Sequence, residues 1–127
     1  CLFRRFSLYN AGVVEPVNTY VVEDLKAGDV HDAMLEIEVD HDRKNMIEYG
    51  IAGTRHFQRL AEMADWTADD LRIYVLEIAE ALCESESEVL VKLKGMLTQH
   101  SIEWMTFLTA LGRESFLYKW MGGGNYD

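Results

Sequence analysis

Proline is nearly missing from this chain, with Pro16 the single one in 127 residues, so nothing after it forces a break in a helix or bars a central strand. Cysteine is equally scarce. Cys1 and Cys83 can form one bridge at most, which excludes a disulfide scaffold and fits free thiols in a reducing compartment. No apolar run approaches the ~18 residues of a membrane-spanning helix, and the opening CLFRRFSLYNAG lacks the apolar centre of a secretion signal. The expected location is therefore cytoplasmic, with no membrane contact. Basic residues are short as well: 12 Lys and Arg against 22 Asp and Glu leave a formal charge of −10. Such a balance argues against nucleic acid as a partner and favours a basic protein.

What is present is enough for a core, since 49% of the residues are apolar and 11% aromatic. The expectation is one domain over 1–127, with 1–16 as an N-terminal extension and 122–127 as a flexible tail. The best-specified stretch is Trp66 to Leu82. Thr67 is placed to cap a helix, Asp69 and Asp70 sit in its first turn, and Asp70 occupies the third position of a capping box. Trp66 and Leu71 hold the staple positions, and Leu71, Tyr74, Val75, Ile78 and Leu82 recur at helical spacing.

Upstream, the pattern changes. In Ala33 to Asp40, Ala33, Leu35, Ile37 and Val39 alternate with Met34, Glu36, Glu38 and Asp40, the period of a half-buried strand. Thr19 to Asp24 is rich in β-branched and aromatic residues, and Met46 to Ala52 alternates again through Ile47, Tyr49 and Ile51. Leu2 to Tyr9 suits an edge strand before Pro16. A competing reading makes 43 to 64 one helix, against which Gly50 and Gly53 each cost about 1 kcal/mol relative to Ala.

Downstream, Thr54 is placed to cap a helix carrying Phe57, Leu60, Ala61 and Ala64. Ser85 with Glu88 caps the next, with Val89, Leu90, Leu93, Met96 and Leu97 as its stripe. Ser101 reads as the cap of a separate helix through Trp104, Met105, Leu108 and Leu111 that ends at Gly112, before a short turn carrying Phe116, Leu117, Trp120 and Met121. The fold class expected is α+β, a small N-terminal antiparallel sheet of three to four strands packed on three to four C-terminal helices. An all-α helical bundle is the alternative.

Two constellations bear on function. Glu36, Glu38, Asp40 and Asp42 form an acidic face suited to a Lys- and Arg-rich protein partner. With His41, the same residues are the alternative, a metal site of a small hydrolase with Glu38 and His41 as ligands. Glu38 and His41 match the Glu-x-x-His spacing that di-iron four-helix proteins use twice, but the spacing occurs once here. Glu77 and Glu80 similarly supply the first half of the acidic pattern of all-α nucleoside triphosphate pyrophosphohydrolases, without the second. Cys83, at the end of an apolar stripe, reads as a small buried residue rather than a nucleophile.

The last 26 residues are crowded with aromatics and methionines. Trp104, Phe116, Trp120 and Met121 are the candidates for a surface shared between two copies, weighed against the simpler role of completing the core. The functional expectation is a small acidic interaction module, homodimeric, without a cofactor and not an enzyme, of the antitoxin, immunity or inhibitor kind.

Overall fold

The computed structural model describes residues 1–34 and 43–122. Five helices run through them: α1 (Leu2–Asn10), α2 (Arg43–Met63), α3 (Ala68–Leu82), α4 (Glu86–Leu111) and α5 (Phe116–Met121). Among the described residues there is no strand, only one isolated antiparallel bridge between Val22 and Met34. The expected α+β fold with an N-terminal sheet is therefore corrected to an all-helical one. Of the Ala33–Asp40 strand, only its first two residues fall within the described part.

Each misread strand has a physical reason. Leu2–Tyr9 winds into α1 because Leu2 and Phe6, four residues apart, reach the same core, with Phe6 among the rings of Phe57, Trp104 and Phe107 at 4.9, 5.5 and 5.4 Å. The β-branched stretch at Thr19–Asp24 has no ladder to join. The Arg5 guanidinium donates to the carbonyls of Val22 and Glu23 instead, satisfying them as a neighbouring strand would have done.

Met46–Ala52 belongs to α2. The alternation of Ile47, Tyr49 and Ile51 is broken in space, since Tyr49 is 76% exposed, and the buried face runs through Ile47, Ile51, Thr54, Phe57 and Ala61. Thr54 is not a cap: it is fully buried mid-helix and its hydroxyl donates to the Gly50 carbonyl.

The α3 start matches its sequence signals. The Thr67 hydroxyl accepts from the Asp70 amide at 3.2 Å, and the Asp70 carboxylate accepts from the Thr67 amide at 3.3 Å. Thr67→Ala is expected to cost about 1 kcal/mol, a fall of about 4 °C in Tm by calorimetry; an unchanged Tm would show that this box carries no stability. Leu71, Val75 and Ala79 are buried, whereas Tyr74 and Leu82 lie outside the covered stripe. Cys83 is exposed rather than buried, and closes the helix in the left-handed region with φ 53°.

Ser85 caps α4 by accepting from the Glu88 amide, and α4 then runs unbroken past Ser101 to Gly112, whose φ is +90°. Ser101 is thus not a cap, because the helix never stops: its buried face passes from Val89, Leu93 and Leu97 to Trp104, Phe107 and Leu108. Those two groups belong to two clusters. One joins α3 to the start of α4 and the end of α2 through Met63, Leu71, Val75, Val89 and Leu97. The other gathers α1, α2, α4, α5 and the 25–33 segment around Trp104. Ser115 fastens that segment down, donating to the Leu25 carbonyl at 2.6 Å while capping α5 through the Leu117 amide.

Candidate interaction surface

The acidic residues singled out by the sequence, Glu36, Glu38, Asp40 and Asp42, and His41 with them, lie outside the described residues. Trp104, Phe116 and Trp120 are 0%, 2% and 5% exposed, and Met121 packs half-buried against the same cluster. Trp104 donates from its indole nitrogen to Gln58 Oε1 at 3.0 Å, and Phe116 stacks edge-on to Trp120 at 4.6 Å. These rings face the interior of their own chain, which leaves little of them for a second copy. Phe116, Leu117 and Trp120 are all buried because α5 is enclosed by α2 and the 25–33 segment, whereas Ile102 and Met105 on α4 stay exposed.

Acidity within the described residues concentrates elsewhere. Between Asp65 and Glu88 there are eight carboxylates (Asp65, Asp69, Asp70, Glu77, Glu80, Glu84, Glu86, Glu88) and one base, Arg72, a net of −7. Helix geometry puts Asp69, Ile73, Leu76, Glu77 and Glu80 on the side of α3 turned away from Leu71, Val75 and Ala79. All five are exposed, Ile73 by 63% and Leu76 by 40%. Leu82, 58% exposed, stands at the end of the helix on the side of Leu71 and Val75, off this face.

The connection to α4 continues the face. Glu84 accepts from Lys92 Nζ at 2.7 Å, and this carboxylate holds the Lys92 ammonium above its ordinary pKa, first by the hydrogen bond and then by its charge. Lys92 is thereby engaged by one acid, while Glu86, Glu88, Glu77 and Glu80 remain turned to solvent. The arrangement is two exposed apolar side chains ringed by carboxylates on a helix whose far side is locked into a core.

A groove of about 810 Å³ lies at the other end of the molecule, between α1, residues 19–25, the start of α2, and α5. Its walls are mostly apolar, including Leu2, Val22, Met46 and Trp120. The Arg5 guanidinium on its rim is already held by two carbonyls and packs over the Tyr20 ring at 4.8 Å. Among the described residues no three His, Cys, Asp or Glu side chains come together as a metal site, and no helix is long and apolar enough to cross a membrane.

Charge summed along α3 and its exit was available in the sequence, but only once the helix boundaries define which residues to sum. No protein-family model, curated protein or solved structure matches this chain.

Proposed function

We propose that this chain is a small non-enzymatic interaction module, one copy of a homodimer, that presents the outer face of α3 and the start of α4 to a basic protein partner. The observation carrying this reading is the coincidence of a net −7 over Asp65–Glu88 with exposed Ile73 and Leu76 on the same helix face. Carboxylates alone describe an ordinary solvated helix. Apolar side chains set among them are what a complementary surface needs, because charge steers and orients while buried apolar area supplies affinity. A partner segment with Lys or Arg flanking one or two Leu-sized residues, such as one face of a basic amphipathic helix, matches in both respects. An inhibitor or immunity protein that masks a basic site would use such a face.

The test is titration with a labelled Lys- and Leu-containing amphipathic helix, followed by fluorescence anisotropy. Binding in the micromolar range is expected, weakened about tenfold both by Glu77→Gln with Glu80→Gln and by Ile73→Ser. The paired change Glu62→Gln with Glu103→Gln removes the same charge elsewhere and leaves affinity within about twofold. Equal losses from the two pairs would mean that the peptide senses only overall charge, and the proposed face would be abandoned.

A further inference from the structure

The solvent side of α4 carries a second pattern. Val91, Gly95, Thr98, Ile102, Met105 and Thr109 follow one another at steps of four, three, four, three and four, the heptad spacing of a coiled-coil seam. Every one of them is exposed, Val91 by 73%, Ile102 by 58% and Met105 by 47%. The seam points away from Leu93, Leu97, Trp104 and Leu108, which hold α4 in the two cores. No part of this chain covers it among the described residues.

Charge identifies the occupant. The chain holds 22 carboxylates, yet none stands in the seam from Val91 to Thr109 or at the positions beside it, Lys92, Gln99 and Thr106 on one side and Lys94 and Ser101 on the other; Glu84, bonded to Lys92, and Glu88 lie at its N-terminal end. On a molecule of net charge −10, this strip lets a second copy approach without opposing carboxylates. Size agrees with charge. A Cβ at Gly95 would meet nothing within 4 Å, so the backbone there lies open to a large side chain from outside. In an antiparallel pair with its two-fold axis between Thr98 and Gln99, the partner's Ile102 lies level with Gly95 and the partner's Met105 with Lys92.

The antiparallel arrangement also keeps the acidic ends apart. It places Glu88 of the two copies about 30 Å from each other along the seam, several times the Debye length of about 8 Å in physiological salt. A parallel pair would set them side by side.

We propose that α4 pairs with α4 of a second copy, antiparallel, through Val91, Gly95, Thr98, Ile102 and Met105. This rests on the homodimer part of the proposed function and is independent of the basic partner. From Val91 to Thr109 the seam is about 27 Å long, and at a helix width of about 11 Å it covers roughly 300 Å² per copy, well below the ~800 Å² of a standard interface. The dimer is accordingly a weak one, with a micromolar dissociation constant.

Sedimentation velocity from low to high micromolar concentration, read together with circular dichroism melts, tests it. The parent chain is expected to shift from monomer to dimer across that range, and Ile102→Glu to weaken the dimer about tenfold or more while keeping its melt, since the side chain is exposed. Ile73→Glu, on α3, leaves the dimer unchanged. A second variant, Thr98→Cys in a Cys1→Ser, Cys83→Ser background, is expected to cross-link to itself on mild oxidation. A parent that stays monomeric throughout overturns both the seam and the homodimer reading. A dimer indifferent to Ile102→Glu and refractory to the Thr98→Cys cross-link overturns the seam alone.

Discussion

Trp104→Ala is expected to lose about 4 kcal/mol of unfolding free energy, among the larger costs for a single buried side chain and a sizeable share of the ~5–15 kcal/mol that holds a domain folded. The ring has no exposed surface and stands among Phe6, Phe57 and Phe107 at 5.5, 5.2 and 5.9 Å between centroids. Its removal opens a hole that three aromatic neighbours on three different helices cannot close together. It also takes the donor from Gln58 Oε1, which the indole nitrogen meets at 3.0 Å. In urea, with a slope of roughly 2 kcal/mol per molar, the midpoint falls by about 2 M. Trp104→Phe separates the two contributions, keeping most of the volume and losing the hydrogen bond, for about 1–2 kcal/mol. A midpoint within a few tenths of a molar of the parent for Trp104→Ala would show that this ring does not hold α1, α2 and α4 together.

The same residue shows where sequence patterning reaches its limit. Trp104 lies on a stripe that reads as helical from Ser101 onward, and Val89, Leu93 and Leu97 read as helical from Ser85, yet the two belong to one helix. Ser101 reads as a break because serine caps helices, while in the structure the apolar face of one continuous helix changes direction there. The change comes from tertiary structure: α4 leaves the cluster around Leu71 and enters the cluster around Trp104. Local signals sufficed where the physics is local, as at Thr67 and Asp70, whose side chains satisfy amides three residues away. At Thr19–Asp24 they did not, because the carbonyls of Val22 and Glu23 are satisfied by Arg5, 17 and 18 residues distant.

The candidate surface was half legible for a related reason. Summed over 54–99, the charge is only −4, because Arg55 and Arg59 before it and Lys92 and Lys94 after it, offset in part by Glu62, dilute the −7 of Asp65–Glu88. The exposed apolar residues Ile73 and Leu76 were hidden in the same way. Inside a helical stretch any apolar side chain resembles core, and only the packing of Leu71, Val75 and Ala79 decides that these two are left outside.

Gly50→Val is expected to cost about 3 kcal/mol, although a glycine inside a helix ordinarily weakens it by about 1 kcal/mol and its replacement should help. A Cβ at Gly50 would lie 2.8 Å from Cζ3 and 3.2 Å from Cη2 of Trp120, closer than packed atoms tolerate. The ring cannot simply retreat. Trp120 is 5% exposed, stacked on Phe116, and its carbonyl accepts from Arg55 Nε at 3.1 Å. The glycine that counted against a helix over 43 to 64 is therefore what allows that helix to lie against α5. Gly95 supplies the opposite sign: a Cβ there meets nothing, so Gly95→Ala is expected to gain about 0.5–1 kcal/mol in the monomer. Urea unfolding of the two variants, at concentrations too low for self-association, reads both effects on one scale. Equal and small shifts would mean that the Trp120 ring does not press on α2. Opposite shifts, large at Gly50 and small at Gly95, are what a helix glycine selected by close approach and one left open at the surface should give.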